Sequence, residues 1–186
     1  MNLKAGFVLQ KGKYTIDSIL GQGGFGITYR AIHHQFNRIV VLKTLNESLY
    51  QHQDFAKFQA QFIAEAHILA KFQHPNIVNV WDFFEEDQFF FMVMDYIPGQ
   101  NLAQLIKSGH NLHPNQATDY IHQIASAVSV VHKNGFLHRD IQPKNIIRRA
   151  GTEQVVLTDF GITCDLTDGI RPVSYTHLRA HETVED

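Results

Sequence analysis

Cysteine is almost absent, with Cys164 the single one in 186 residues. No internal disulfide can form, and such usage suits a reducing compartment. A charge of one sign is lacking too, since 16 Lys and Arg stand against 18 Asp and Glu for a net charge of −2. That balance speaks against a dedicated nucleic-acid binder, whose footprint is a basic stripe. No stretch approaches the ~18 consecutive apolar residues of a membrane span, and Met1 to Phe7 lacks the apolar run of a signal peptide. A cytosolic location is expected, with no membrane segment and no nucleic-acid partner. What is present is globular in kind: 44% hydrophobic and 18% charged residues, with no low-complexity run. The length suffices for one large domain or two small lobes with a real core.

The first half reads as strands around a glycine turn. A strand over Tyr14 to Leu20 leads into Gly21-Gln22-Gly23-Gly24-Phe25-Gly26, and a second strand runs from Ile27 to Ile32. Glycine serves where backbone turns tightly with positive φ and where amides must come close to a ligand, so this turn can lie over phosphates. In a dinucleotide fold a helix would follow the Gly-x-Gly-x-x-Gly spacing. Here Thr28-Tyr-Arg-Ala31 continues as strand; a flexible hairpin is the plainer alternative. The strand Arg38 to Leu45 places Ile39, Val41, Lys43 and Leu45 on one face. An ammonium among apolar neighbours needs an anion, although apolar residues on both faces leave a solvent-facing Lys43 open. Between Asp54 and Phe72, the residues Phe55, Phe58, Phe62, Leu69 and Phe72 form one helical stripe. Glu65 lies on that stripe and is the natural partner for a buried lysine. The helix stops before His74-Pro75. Strands near Asn79–Phe84 and Phe89–Met94 follow, and Pro98-Gly99 breaks the pattern like a linker between lobes.

In the second half, a short helix is expected over Leu102–Lys107 and a longer one from Pro114 to about Lys133. Proline is tolerated in a first helical turn. Ile121, Ile124, Val128 and Val131 are the expected buried line, and Asn134-Gly135 the stop. Phe136-Leu-His-Arg-Asp-Ile-Gln-Pro-Lys-Asn145 is too polar, and too broken by Pro143, for helix or central strand. Its Asp140 can accept a proton from a hydroxyl, and its Asn145 can hold a hard cation. Two short strands, Ile146-Ile147 and Val155–Leu157, lead to Asp159-Phe-Gly161, whose carboxylate can return beside Asn145 as a second cation ligand.

These signals, in this order, resemble a protein kinase, specifically a serine/threonine kinase of the bacterial eukaryotic-like (Hanks) type. Gly21 to Tyr29 resembles the glycine-rich loop, in wording similar to cyanobacterial kinases, and Val40-Val-Leu-Lys43 resembles Val-Ala-Ile-Lys. Glu65 looks like the helix-C glutamate, His74–Val78 the connector after it, and Met94–Gly99 the hinge. His138–Asn145 and Asp159–Gly161 resemble the catalytic loop and metal-binding turn. The resemblance runs from about Tyr14 to Thr163. It implies an α+β, bilobal kinase-like fold, with a five-stranded N-lobe and helix C over 14–94 after an extension at 1–13. A hinge at 95–100 and the first part of a helical C-lobe at 101–171 complete it.

The same resemblance implies ATP with Mg²⁺ (or Mn²⁺) and a protein Ser/Thr hydroxyl as acceptor. Gly21, Gln22, Gly23, Gly24, Phe25 and Gly26 would cover the phosphates, with Lys43 on the α/β-phosphates and Glu65 positioning it. Thr28, Val41 and Ile147 would pack on adenine, Met94 would be the gatekeeper, and Asp95 to Ile97 would offer backbone bonds to the base. Asn101, just past the hinge, joins the nucleotide-binding set. Asn145 and Asp159 would hold the metal, and Asp140 would receive the hydroxyl proton. Leu69, Val80, His138 and Phe160 would stack as a column between lobes, and Arg139 would pair with a phosphorylated segment.

Two departures stand out. Gln142 replaces the catalytic-loop lysine, a neutral amide where an ammonium would neutralise developing charge. This motivates an alternative reading as a pseudokinase or ATP-binding regulatory module; a small-molecule phosphotransferase is a third. Secondly, no Ala-Pro-Glu-like anchor follows Gly161. Pro172-Val-Ser-Tyr-Thr-His-Leu-Arg-Ala-His-Glu-Thr183 is instead similar to the translated reading frame of a transposase sequencing adapter. A non-native tail at 172–186 is expected on that ground, with weak phosphotransfer and poor solubility, and nucleotide reads across the string test it. The plainer alternative is an unusual activation segment, in which His177 and His181 stand at helical spacing like a metal site.

Overall fold

A computed structural model of the protein describes residues 3–109 and 112–160. The activation segment, Gly161, His177, His181 and the expected tail lie outside the described residues.

Alternation builds the first lobe. Strand β1 is Val8–Leu9, β2 Tyr14–Gln22, β3 Gly26–His33 and β4 Arg38–Leu45. Helix α1 spans Phe55–Leu69, followed by β5 Val80–Glu86 and β6 Phe89–Asp95. All six strands pair antiparallel in one sheet of order β1-β2-β3-β4-β6-β5. The sheet thus has one strand more than expected. The addition comes from the segment read as an extension: Val8–Leu9 pairs with Tyr14–Thr15, and the Leu3 amide donates to the Tyr29 hydroxyl at 3.2 Å. A two-residue strand is too short to show periodicity.

Both faces of this sheet are apolar, and each has its own cover. Leu9, Tyr14, Ile16, Ile27, Tyr29, Val40, Leu42 and Val93 close one core around Leu3. The opposite face, with Val41, Leu45, Met92 and Met94, packs under α1 through Phe62, Ala66 and Leu69. Lys43 belongs to this second face, in register with Thr28 across β3–β4. That settles which way the lysine points. Ile39, expected on the same buried face, sits at the sheet's outer end and is exposed.

The second lobe begins with β7, Gly99–Asn101, which leads directly into α2, Leu102–Lys107. After α3, Pro114–Lys133, come β8, Ile146–Arg149, and β9, Val155–Leu157. The last three strands make a small antiparallel sheet, β7-β8-β9. On α3 the buried line is Tyr120, Ile124, Ala127 and Val131: Ile124 and Val131 are as expected, while Tyr120 and Ala127 take the places expected for Ile121 and Val128. Ile121 is 66% exposed. Tyr120 takes the inward position because its hydroxyl finds Glu153, on the β8–β9 turn, as acceptor, and a buried phenol needs such a partner.

The lobes join through the connector 74–78. Asn76 donates its side-chain amide to Gln123 Oε1 at 2.8 Å and to the Val155 carbonyl at 2.7 Å. Its carbonyl accepts from Leu157 N, and Val78 N returns a bond to the Leu157 carbonyl. His74 bonds Ser126 on α3, and the Pro75 carbonyl accepts from Gln154. One continuous core therefore runs from Phe62 and Leu69, past Phe72 and Ile77, to Ile124, Leu157 and Phe160.

Candidate active site

Three charged side chains from three elements converge below the sheet. Lys43 Nζ, from β4, lies 3.0 Å from Glu65 Oε1 on α1 and 2.9 Å from Asp159 Oδ1 just after β9. Phe62, Ala66 and Leu69 turn the α1 stripe inward, and Glu65 goes with them to 7% exposure. Burial works to lower the Lys43 ammonium, but the charges of Asp159 and Glu65 outweigh it and hold the lysine above its ordinary value. Lys43 in turn pulls the Asp159 carboxyl below its usual range against the effect of burial. Glu65 goes the other way: burial raises it and Lys43 offsets only part of that shift. The Asp159 side chain keeps an open side, whereas Glu65 is closed in.

Asp140 stands at a second convergence. Asn145 donates its side-chain amide to Asp140 Oδ2 at 2.8 Å and to the Asp140 carbonyl at 2.9 Å, and Gln142 Nε2 donates to Oδ1. The short 3-10 turn Pro143–Asn145 sets this up, with Asn145 buried. Because the Asn145 nitrogen faces Asp140, its Oδ1 is the atom available to a cation. The two convergences are tied by Thr158, whose amide and hydroxyl both donate to the Asn145 carbonyl, at 2.8 and 3.1 Å.

His138 underlies both. Its Nδ1 accepts from the Asp140 amide at 3.2 Å, and its ring lies 4.2 Å from that of Phe160. Burial pushes it down to about 4, with Asp140 and the Thr158 backbone opposing. It is therefore neutral near pH 7, carrying its proton on the buried Nε2. Phe160 is buried beside it, Phe72 stacks on Phe160, and Leu69 and Val80 belong to the same core. Arg139 and Asp159 hold positive φ values of 62° and 48°, an uncommon conformation that clusters where a backbone is held for function.

The glycine turn behaves unevenly. Beside Gly21, Gly23 and Gly24 a Cβ would meet nothing within 4 Å, so open space lies there for a ligand. At Gly26 it would come 2.9 Å from the Thr44 carbonyl, so the close pairing of β3 and β4 needs glycine. Positive φ is not the reason for any of them. Gln22 ends β2 at the same rim. Asn46, which sequence reasoning did not single out, holds the tip: its Nδ2 donates to the Gly23 carbonyl at 2.8 Å and its amide to the Phe25 carbonyl at 2.9 Å. Asn46 also caps the following 3-10 turn through Ser48 N. The Asn-x-Ser pattern carries the cap signal, but nothing local reveals the reach to Gly23.

Of the residues expected around adenine, Val41 pairs with Met94 across β4–β6, Ile147 pairs with Asn101 across β7–β8, and Ile97 is buried. Asp95 donates its amide to the Asn79 carbonyl, so it can offer a base only its carbonyl. Its carboxylate turns outward to Asn79 and Trp81. Asn101 caps α2 with Oδ1 in a reciprocal box with Gln104, leaving its amide nitrogen for a ligand hydroxyl. The donor set fits a nucleotide and a hard cation: open glycine backbone, a buried ammonium, an ionised Asp159 and an amide oxygen. Among the described residues no cluster of three His, Cys, Asp or Glu stands ready for a metal. A hollow of about 640 Å³ behind the connector, lined by Phe72, His74, Pro75 and Trp81, carries none of these groups.

The family model described as protein kinase domain matches residues 14–182. The chain is 36% identical over 157 residues to serine/threonine-protein kinase PrkC of Bacillus subtilis, covering 84% of this chain and 24% of that protein. To serine/threonine-protein kinase B of Synechocystis it is 31% identical, covering 86% of this chain and 28% of the relative. The chain thus spans about a quarter of the length of these curated relatives. Among solved structures, "PpkA-294 apo form" superposes with a TM-score of 0.76 at 30% identity, over 87% of this chain and 62% of that one. A crystal structure of the Mycobacterium tuberculosis PknI kinase domain gives 0.72 at 28% identity, over 87% and 64%. With its two-lobed α+β fold and a family match over most of its length, the chain belongs to the protein kinase family.

Proposed function

We propose that this chain carries the catalytic core of an ATP-dependent serine/threonine protein kinase, acting in the cytosol on a protein hydroxyl. The observation that carries the reading is the convergence of Glu65 and Asp159 on Lys43, next to a loop that presents Asp140. The backbone of Gly21–Gly26 covers the phosphates, and Lys43, held by Glu65, takes the α/β-phosphates. Thr28, Val41, Met94 and Ile147 enclose the adenine, with Asp95 and Ile97 meeting its edge. Asn145 Oδ1 and the Asp159 carboxylate would hold Mg²⁺ (or Mn²⁺), which would supply positive charge to the transferring phosphoryl group. The acceptor oxygen bonds to the γ-phosphorus as the bond to the β-phosphate bridging oxygen breaks. Asp140 takes the hydroxyl proton, and ADP leaves.

Gln142 is the specific observation behind a second reading, an ATP-binding regulatory module. Its amide sits on the proposed base instead of supplying a charge. Mg·ATP binding and Mg·ATP-dependent transfer to a generic Ser/Thr protein acceptor, each measured with Asp140→Asn alongside, separate the readings. Transfer lost in Asp140→Asn with binding kept supports the kinase. Binding with no transfer by the full-length native protein favours the regulatory module, and no Mg·ATP binding at all would sink both.

A further inference from the structure

The tip of the glycine turn is tied to the same two elements that carry Lys43 and Glu65. Asn46 follows Lys43 by three positions, just beyond the end of β4, and its two donors take the Gly23 and Phe25 carbonyls. Phe25 then sets its ring edge-on against Phe58 of α1, with centroids 5.6 Å apart and planes at 80°. The His52 ring also lies against Phe58, with centroids 5.3 Å apart. On α1, Phe58 and Glu65 are seven residues apart, which places them on one helical face two turns from each other. A glycine-rich turn by itself is conformationally loose. Here one side-chain amide, one backbone amide and one aromatic pair hold its tip.

We propose that Asn46, with Phe58, is a positioning pair for the phosphate loop, setting the loop's height above the nucleotide and linking it to the Lys43–Glu65 pair. The proposal rests on the nucleotide role given to Gly21–Gly26 above. Asn46 touches no reacting atom; it acts through the loop backbone. Without the Gly23 bond the loop samples more conformations, so binding must order it and the nucleotide is held less tightly.

Asn46 also caps the 3-10 turn Glu47–Gln51 through its Oδ1, and the test must separate the two jobs. Asn46→Ser does so. Serine is a good neutral cap, but its hydroxyl is too short to reach the Gly23 carbonyl. In Asn46→Ser the Mg·ATP dissociation constant should rise about fivefold, the size of one neutral hydrogen bond, while the thermal midpoint of the unliganded chain falls by no more than about 4 °C. Phe58→Leu, which keeps apolar volume on α1, should weaken binding in the same direction. Hydrogen exchange of the peptide spanning 21–26, without nucleotide, gives a second readout: it should speed up in Asn46→Ser while α1 exchange is unchanged. Unaltered nucleotide affinity together with unaltered exchange in 21–26 would overturn the proposal. Absence of Mg·ATP binding in the parent chain would count against the kinase reading, and the exchange measurement would still decide the tether.

Discussion

Lys43 lies as close to Asp159, at 2.9 Å, as to Glu65, at 3.0 Å. One ammonium therefore answers two carboxylates, of which only Glu65 is fully enclosed. On the proposed function, phosphates arriving beside Lys43 would compete with Asp159 rather than with Glu65, because the Asp159 side is the open one. The carboxylate thus displaced is the one suited to a cation.

Lys43→Met leaves Glu65 buried with no counter-charge and with Asp159 nearby. Removing one partner of a buried ion pair costs about 3–5 kcal/mol, so the chain should unfold at clearly lower urea and lose Mg·ATP binding. Lys43→Met combined with Glu65→Gln should recover part of the stability and none of the binding. A urea midpoint for the double variant at or below that of Lys43→Met would argue against the pairing.

Gln142→Lys restores a charge beside Asp140. A charged donor bonds about twice as strongly as a neutral one, and charge at the transferring group stabilises the transition state. The phosphotransfer rate should rise about tenfold, roughly one 1.4 kcal/mol step, with the KM for ATP little changed. An unchanged or lower rate would mean that the amide serves Asp140 as well as an ammonium does.

His138, pushed down to about 4 from an ordinary 6.5, binds fewer protons folded than unfolded. Its contribution is complete above pH 6.5 and is lost as pH falls from there toward 4. The span corresponds to on the order of 3 kcal/mol. His138→Phe should flatten the stability profile between those pH values, as read by urea titrations at pH 5 and pH 7. The opposing Asp140 and Asp159 carboxylates face the same ring and reduce the slope without changing its sign.

Glycines separate by cause. At Gly99, φ is +151° and a Cβ would lie 2.0 Å from the Arg148 carbonyl, so Gly99→Ala must part β7 from β8. A loss of about 2 kcal/mol or more is expected from chemical denaturation. Gly23→Ala meets open space and should leave the unliganded stability alone while weakening Mg·ATP binding.

Helices were the most legible part of the fold. The stripe Phe55 to Phe72 overruns its helix by three residues, since α1 ends at Leu69, whereas the proline at 114 and the Asn134-Gly135 stop mark α3 closely; of that stop pair only Gly135 takes positive φ, +84°. The pairing of Lys43 with Glu65 could be read because a carboxylate on an apolar stripe calls for a counter-charge. The Asp159 contact could not, since it depends on where the chain returns after β9. Strands β1 and β7, of two and three residues, lack the length for alternation to register. On α3 hydropathy favours Ile121 over Tyr120; only the acceptor Glu153, 33 residues away in sequence, reverses that order. Asn46 stayed hidden for the same reason, its partner lying 23 residues back in the glycine turn.

The connector 74–78 has a mechanical consequence. Its bonds to Gln123, Ser126, Gln154, Val155 and Leu157 moor the C-terminal end of α1 to the second lobe, whereas Lys43 rides on the sheet. Helix α1 is thus a lever with its fulcrum in one lobe and its load, Glu65, delivered to the other. Rotation of the sheet away from α1 about that fulcrum would lengthen the Lys43–Glu65 distance, now 3.0 Å. That single distance is a gauge of lobe opening, and a spectroscopic label on each side of it would report the motion directly.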